Sequence, residues 1–338
     1  MPDVAVLVPV FNAAPWIGDA VRSVLAQEGC TFELHLIDDG STDGTAELAE
    51  AAARGHRAFQ LTRGGRQGLV ASLNLGLATI PLETPFVARF DGDDLMLPGR
   101  LAAQVAFLRD HADIALVSSR VEVERAPDAA PAQGMDRYVA WLNALETPEQ
   151  IARELFVEAP VCHPAVMMRS EVLRGAGGYH DRVWTEDYDL WLRLHEAGHR
   201  FHTLPTPFVK WRDHGARVTR NDARCRPDRF FLIKAHYLRR RFGDRLRIWG
   251  AGRDGRRLAA ALVNEGVTID AFIDIDPRKI GREKRGGTVP VLGESSLLGP
   301  GDGAPIVSAV GIPRARQEIR DALDAKGYVE GLDYVCGA

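Results

Sequence analysis

The sequence predicts an α/β protein with a doubly wound, mostly parallel sheet, followed by a smaller α/β domain. Short apolar runs of strand length alternate with helical patterns from residue 4 onward. Two acidic clusters, at 38–39 and 91–94, follow predicted strands, at the sheet edge where ligands bind in such folds. A second series, opening with a strand, a glycine-rich loop and a helix, begins at residue 246 and predicts the second domain.

The elements follow from the spacing of apolar residues. In the N-terminal part we expect strands at 4–10, 32–37, 86–90 and 114–118, and helices at 16–27, 45–53, 69–78, 98–111, 138–158, 170–174 and 185–197. In the C-terminal part we expect strands at 246–249, 269–275, 288–292 and 306–310, and helices at 256–265 and 313–326. This alternation is typical of parallel sheets covered by helices on both faces.

A length of 338 residues favours two domains. We expect a first domain over 1–225, a linking helix over 226–244 and a second domain over 245–338. The linking helix is basic and amphipathic, with Lys234 and Arg239 among its cations. Its apolar side is expected to pack between the domains, and the alternative is contact with an anionic membrane surface.

Composition excludes several classes of protein. With 46% hydrophobic and 26% charged residues, the chain is neither disordered nor fibrous. Its net charge of −4 argues against nucleic acid as a partner, because binding to phosphate backbones requires a basic surplus. The four cysteines lie far apart, which is typical of a reducing compartment. No apolar run is long enough to span a bilayer and no leader peptide is evident, so we expect a cytoplasmic protein, with peripheral membrane contact as the alternative.

The two acidic clusters each allow a functional and a structural interpretation. Asp38-Asp39 can accept hydrogen bonds from a nucleobase or a ribose, but acidic residues there also suit the start of a helix. Asp91-Gly92-Asp93-Asp94 places three carboxylates within four residues. Such a group suits Mn²⁺ or Mg²⁺ held jointly with a diphosphate, and its alternative is a solvated acidic turn.

The order of the motifs is more specific than any one of them. Val8-Pro9-Val10-Phe11-Asn12, Asp38-Asp39-Gly40-Ser41, Asp91-Gly92-Asp93 and Thr185-Glu186-Asp187 follow one another over residues 3–220. In this order and spacing they resemble the family-2 glycosyltransferases, which have the GT-A fold. Segments 68–77 and 177–179 are similar to that family as well.

The resemblance implies a nucleotide-sugar site in the first domain. Its nucleotide-binding residues would be Pro9, Phe11, Asn12, Asp38 or Asp39, Arg63 or Arg66, Asp91, Gly92 and Arg212. Asp93 would bind Mn²⁺ or Mg²⁺, and His214 would be a second metal ligand or a phosphate contact, with a purely structural histidine as the alternative. A metal there would neutralise charge on the departing nucleoside diphosphate.

The resemblance also assigns the acceptor side. Asp187 would be the general base that deprotonates the acceptor hydroxyl, assisted by Glu186, and His163 and Trp184 would lie beside the acceptor. From spacing alone, Glu186 and Asp187 could equally be the first turn of a helix, where acidic residues are favoured. A single base opposite the leaving group implies inversion at the anomeric carbon.

The C-terminal part carries Gly250-Ala251-Gly252-Arg253-Asp254-Gly255 between a strand and a helix, with Asp274 about 20 residues downstream. This pattern is typical of Rossmann-like nucleotide sites and resembles the small domains of some sugar-modifying enzymes. Gly250, Gly252, Gly255 and Asp274 would hold a second nucleotide, or the loop has only a packing role. We find no residue set of a working dehydrogenase.

We therefore expect a metal-dependent inverting glycosyltransferase. Its partners would be a nucleotide-sugar, with UDP-sugar favoured over GDP- and dTDP-sugars, and a saccharide or glycolipid acceptor. The alternatives are a non-catalytic module that binds sugar nucleotides and, ranked below it, a nucleotidyltransferase. The latter usually carries a glycine-rich loop with a basic residue after its first strand, where this chain has Phe11-Asn12-Ala13-Ala14-Pro15.

Overall fold

The computed structural model describes residues 1–125, 133–284 and 288–338, without the side chains of residues 133 and 284. The chain forms two compact units. Unit 1 comprises Met1–Ala152, Pro160–Arg182 and Glu186–Asn221. Unit 2 comprises Arg153–Ala159, Val183–Thr185 and Asp222–Ala338. Each is described by itself.

Unit 1 is built on an eight-stranded sheet in the order β3-β2-β1-β4-β7-β6-β8-β5. The first four strands in this order, β3 to β4, are all parallel, and β6 is parallel to β8. Strand β7 is antiparallel to both of its neighbours, β4 and β6, and β5 is antiparallel to β8. The strands are β1 (Val4–Val10), β2 (Phe32–Asp38), β3 (Phe59–Arg63), β4 (Phe86–Arg89), β5 (Leu95–Met96), β6 (Ile114–Arg125), β7 (Met167–Arg169) and β8 (Arg200–Asp213). The predicted α/β class with a mostly parallel sheet is confirmed.

Nine helices accompany this sheet in the described part of the chain up to Asn221. They are α1 (Ile17–Leu25), α2 (Thr45–Ala53), α3 (Leu69–Thr79), α4 (Arg100–Asp110), α5 (Gln133–Leu142), α6 (Pro148–Glu154), α7 (Ser170–Gly175), α8 (Glu186–Glu196) and α9 (Val218–Asn221). Helix α6 begins in unit 1 and its last residues belong to unit 2.

The central strand β1 explains why the site lies where it does. All seven of its residues are buried, because helices cover both faces of the sheet. Its last residue, Val10, is level with Asp38 of β2, and Asp38 is level with Arg63 of β3. Parallel strands that end in register bring the loops after them to one edge of the sheet.

The predicted helix over 138–158 is two helices. Asn143 ends the first one, since its side-chain amide donates to the backbone oxygen of Val121 and accepts from the backbone N–H of Val121. Thr147 and Gln150 then cap α6 reciprocally: the Thr147 hydroxyl accepts from the Gln150 N–H, and the Gln150 side chain accepts from the Thr147 N–H.

Unit 2 contains a six-stranded sheet in the order β11-β12-β10-β9-β13-β14. All pairs are parallel except β11 with β12. Its strands are β9 (Arg245–Trp249), β10 (Thr268–Ile273), β11 (Glu283–Lys284), β12 (Val289–Leu292), β13 (Ile306–Ser308) and β14 (Tyr334–Cys336), and its helices are α10 (Pro227–Phe242), α11 (Arg253–Asn264) and α12 (Pro313–Asp324).

Helix α10 corresponds to the predicted linking helix over 226–244. Ile233, Ala235 and Leu238 are fully buried, and the helix packs against α11 of the same unit. The apolar side that could have faced a membrane is therefore largely occupied by protein. Among the described residues, no helix is both long enough and apolar enough to cross a bilayer.

Candidate active site

Phe11 lies at the edge of the sheet, just after β1, with 38% of its surface exposed. An exposed ring beyond a buried strand is available to stack on a planar ligand. In this structure the guanidinium of Arg66 covers the ring, with its central carbon 3.1 Å from the ring centroid. Pro9, also predicted to line the base pocket, is buried within β1.

Asn12 holds two loops together. It has φ = 49°, an unusual value for a residue other than glycine. Its backbone N–H donates to the Ser41 hydroxyl at 2.9 Å, and its side-chain oxygen accepts from the Thr42 N–H at 3.0 Å. Asn12 thus fixes the loop after β1 against the loop after β2.

Asp38 and Asp39 are both buried, but their hydrogen bonds differ. One oxygen of Asp38 accepts from the Ser41 N–H at 3.1 Å. Both oxygens of Asp39 accept backbone N–H groups, from Gln67 at 2.7 Å and from Gly68 at 2.9 Å, just before α3. Asp39 organises the loop that carries Arg66, and Asp38 retains more capacity for a ligand.

Arg63 and Arg66, the two predicted base or phosphate contacts, point to different partners. Arg63 forms ion pairs with Glu47 and Glu50 of α2, at 3.0 and 3.4 Å. Arg66 lies over Phe11 and its side chain is 62% exposed. Of the two, the structure brings only Arg66 to the predicted base pocket.

The acidic cluster follows β4. Each of Asp91, Asp93 and Asp94 offers a carboxylate oxygen, and these oxygens lie within 4.8 Å of one another. Gly92 between them is required by packing, because a Cβ atom there would lie 2.5 Å from Cγ1 of Val10. The tight approach of this turn to β1 keeps the three carboxylates together.

The carboxylates of the cluster have different electrostatic surroundings. Burial and the charges of Asp91 and Asp93 raise the pKa of Asp94 well above its ordinary value. Burial also raises the pKa of Asp91, against the opposing charge of Arg89, with which it forms a buried ion pair. Burial acts to raise the pKa of Asp93 too, but the hydrogen bond to His214 and the charge of Arg217 lower it below its usual value.

His214 is brought to the cluster from the end of β8. Its Nε2 lies 2.9 Å from an oxygen of Asp93, and its ring stacks on Trp16 at 4.0 Å between centroids. Its Nδ1 is buried and forms no hydrogen bond with any described residue. The same is true of one carboxylate oxygen of Asp94. Oxygen ligands beside an imidazole, with buried acceptors still unsatisfied, fit a divalent cation such as Mn²⁺ or Mg²⁺.

Arg212 differs from its expected role. Its side chain pairs with Glu124 at 2.8 Å and with Asp19 at 3.1 Å, and its backbone N–H donates to Asp94. The cations that act on the acidic cluster are Arg89 and Arg217. Sequence analysis named neither of these, nor Trp16; the position of Arg217 shortly after His214 was the one available signal.

Glu186 and Asp187 open α8, as predicted. Glu186 is buried, with one oxygen 3.8 Å from Nδ1 of His163. Asp187 is half-buried and accepts from the Tyr188 N–H at 2.7 Å. The Nε2 of His163 lies 3.2 Å from the Tyr179 hydroxyl, and burial together with the charge of Arg89 lowers the pKa of His163 well below its ordinary value. The neutral form of His163 is therefore favoured; its ring contacts the Tyr179 hydroxyl and lies close to Glu186.

Arg89 connects the two carboxylate groups. It pairs with Asp91, and the charge of Glu186 acts on it as well. Trp184, the other predicted acceptor residue, is buried in unit 2, where its ring centroid lies 5.5 Å from that of His236.

The glycine-rich loop of unit 2 has the predicted geometry between β9 and α11. Gly250 has φ = 111°, and a Cβ atom on Gly255 would lie 1.8 Å from the backbone oxygen of Gly250. Asp274 is occupied within the protein: it accepts from the N–H of Ala251 and from Nζ of Lys279, both at 2.9 Å.

Comparison with known proteins identifies related chains. The family model described as "Glycosyl transferase family 2" matches residues 5–176. The putative glycosyltransferase EpsE of Bacillus subtilis is 34% identical over 217 residues, which are 63% of this chain and 73% of EpsE. The succinoglycan biosynthesis protein ExoU of Rhizobium meliloti is 30% identical over 213 residues, 59% of this chain and 58% of ExoU.

Among solved structures, residues 1–349 of Staphylococcus aureus TarS in complex with UDP-GlcNAc superimpose with a TM-score of 0.55. The match covers 77% of this chain and 71% of that one, at 16% identity. At this identity the likeness shows the fold.

Proposed function

Because the chain belongs to glycosyl transferase family 2, we propose that it transfers a sugar from a UDP-sugar to a hydroxyl of a saccharide or glycolipid, with inversion at the anomeric carbon. The observation that carries the proposal is the acidic cluster with His214 on Asp93, at the edge where the strands of the parallel sheet end. Membership of this family favours the transferase over a nucleotidyltransferase or a non-catalytic module.

The donor nucleotide would bind across the ends of β1 and β2. Phe11 would stack on the base, and the carboxylate of Asp38 would accept from the imide N–H of uracil. For the base to stack on Phe11, the Arg66 guanidinium must leave the face of the ring that it covers, or the base must stack on the opposite face. The TarS structure with UDP-GlcNAc supports UDP as the first nucleotide to test, and ExoU supports a polysaccharide precursor as the acceptor.

Asp93 would hold Mn²⁺ or Mg²⁺, with Asp91 and His214 beside it. When bound, the cation would neutralise charge that develops on the leaving diphosphate. The protein's own contribution is opposing charge and orientation. The charge of Arg89 acts against burial at Asp91, that of Arg217 acts against burial at Asp93, and Trp16 stacks on the His214 ring.

Asp187 would act as the general base. The acceptor oxygen forms a bond to C1 of the sugar, the bond from C1 to the diphosphate oxygen breaks, and the hydroxyl proton passes to the Asp187 carboxylate. Asp187 lies in the first turn of α8, where acidic side chains are favoured. Glu186, held near His163, would fix the start of the helix.

Calorimetric titration with UDP, with and without Mn²⁺, tests the site. We expect Mn²⁺-dependent binding by the wild type, loss of that dependence in Asp93→Asn, and no change in Asp113→Asn, whose carboxylate pairs with Arg200 on the surface. Asp187→Asn is expected to bind UDP normally and to hydrolyse or transfer the sugar about 100-fold more slowly or worse. Metal-independent binding unaffected by Asp93→Asn would contradict the proposal, as would release of pyrophosphate from a nucleoside triphosphate.

A further inference from the structure

Arg217 is a buried cation between β8 and α9, with 6% of its surface exposed. Two contacts fix its position. Its guanidinium lies 4.4 Å from the ring centroid of Trp211, and its Nη1 nitrogen donates to the backbone oxygen of Arg212 at 2.8 Å. The side chain is thus held by stacking and by one hydrogen bond, and other N–H donors of the guanidinium remain available for a ligand.

Arg217 lies next to the acidic cluster, because its backbone N–H donates to the backbone oxygen of His214 at 3.5 Å and the His214 ring contacts Asp93 at 2.9 Å. Its charge acts on the cluster. It lowers the pKa of each of its three carboxyls, Asp91, Asp93 and Asp94, although burial has the larger effect on all three. Arg217 nevertheless forms no ion pair within 4.0 Å with any carboxylate in the described part of the chain. Arg89 and Arg212, in contrast, pair directly with acidic side chains.

A buried guanidinium near carboxylates, but not bonded to them, is costly unless something else satisfies its donors. A ligand that carries negative oxygens would do so. A guanidinium binds phosphate oxygens through two parallel N–H donors, a geometry that lysine cannot reproduce.

We propose that Arg217, and not Arg212, is the arginine that binds the diphosphate of the donor nucleotide. This inference rests on the proposed function, because it needs a nucleoside diphosphate beside the acidic cluster. Arg212 is already held by Glu124 and Asp19, so it cannot approach a phosphate without breaking both ion pairs. Arg217 meets the diphosphate with its position already fixed by Trp211.

The test separates contact with the phosphates from contact with the base. Binding of UDP in the presence of Mn²⁺ is measured by calorimetry, and binding of uridine by NMR shift titration, for the wild type, Arg217→Gln, Arg217→Lys and Arg220→Gln. Arg220 is the matched control, because it lies close by in the same segment, its side chain is about half exposed, and it pairs with Asp213 instead of lying beside the acidic cluster. Thermal unfolding of each variant accompanies the titrations.

We expect Arg217→Gln to weaken UDP binding at least tenfold and to leave uridine binding unchanged. Arg217→Lys keeps the buried charge and should lose part of the UDP affinity, since it lacks the planar fork. Arg220→Gln should match the wild type. Should Arg217→Gln unfold at a lower temperature, the lysine variant still provides the comparison.

Two results would overturn the inference. Equal changes in UDP and uridine affinity, or none in either, would mean that Arg217 only balances the charge of the acidic cluster. A wild type that binds neither UDP nor GDP nor dTDP would overturn the proposed function, and this inference would fall with it. The first result leaves nucleotide binding by the wild type intact, so the two failures are distinguishable.

Discussion

Asp38 and Asp39 are neighbours in sequence, but we expect their substitution by asparagine to affect different properties: nucleoside binding for Asp38 and stability for Asp39. Asp39 accepts two backbone N–H groups, so Asp39→Asn would set an amide donor against one of them. We expect it to reduce the free energy of unfolding of unit 1 by about 1–3 kcal/mol. Asp38→Asn should cost less stability and weaken uridine binding instead, because an amide N–H can face the imide N–H of the base.

Chemical denaturation and uridine titration of both variants measure these effects side by side. The assignment of the base to Asp38 would fail if Asp39→Asn, rather than Asp38→Asn, lost uridine affinity without losing stability. The sequence favours Asp38 over Asp39 only slightly, since it shows just two adjacent carboxylates at a strand end.

Site residues whose role depends on contacts between distant parts of the sequence could not be predicted from the sequence. The resemblance to a family nominated Asp91, Asp93, Asp187 and His214 from their motifs. It could not nominate Trp16, because only folding stacks this residue on His214, nor Arg89, whose significance is its buried pairing with Asp91. Arg212 was favoured by its position in a motif, and its actual partners come from α1 and β6.

Among the elements, those with strong periodicity were predictable and those dependent on partners were not. Helix α2 and strand β1 begin and end where the apolar pattern predicts. Strand β8 was not predicted, because Pro205 and Pro207 interrupt it. It pairs with β6 over most of its length, with irregular register around those prolines. Strand β7 has only three residues and is defined by its neighbours on either side.

The turn between β9 and α11 supports a prediction about packing. Gly255→Ala would place a methyl group 1.8 Å from the backbone oxygen of Gly250, which is part of the same rigid turn. Since the clash is with backbone, it cannot be relieved by a rotamer change, and we expect unit 2 to lose about 3 kcal/mol of stability. Scanning calorimetry measures the loss.

Gly252→Ala is the matched control in the same loop. Nothing lies within 4 Å of the added carbon and the backbone is not left-handed there, so its unfolding should resemble that of the wild type. An unchanged unfolding temperature for Gly255→Ala would show that helix α11 can move away from β9, and that the third glycine is not needed for close packing of helix against strand.

For the whole molecule, the two units differ in what is known of them. The family match ends at residue 176 and lies within unit 1 apart from the short segment 153–159, whereas the sheet of unit 2 lies beyond it. The glycine loop of unit 2 lies between a strand and a helix, where the sequence pattern predicted a nucleotide-binding turn, yet Asp274 is already bonded to Ala251 and Lys279. Whether a nucleotide binds to one unit or to both is thus a question about the full chain.

Hydrogen–deuterium exchange on the full chain, with and without UDP and Mn²⁺, answers it. We expect slower exchange in unit 1 alone, in the segments 10–12, 38–42, 64–68, 89–94 and 212–217. The amides of Gly252, Arg253 and Asp254 bond to no acceptor among the described residues, because they precede the first helical hydrogen bond of α11. They would therefore report a phosphate in that turn sensitively. Slower exchange at 250–255 would place a nucleotide in unit 2, whereas unchanged exchange there, with protection in unit 1, would assign the nucleotide to the acidic cluster and leave the glycine loop a packing role.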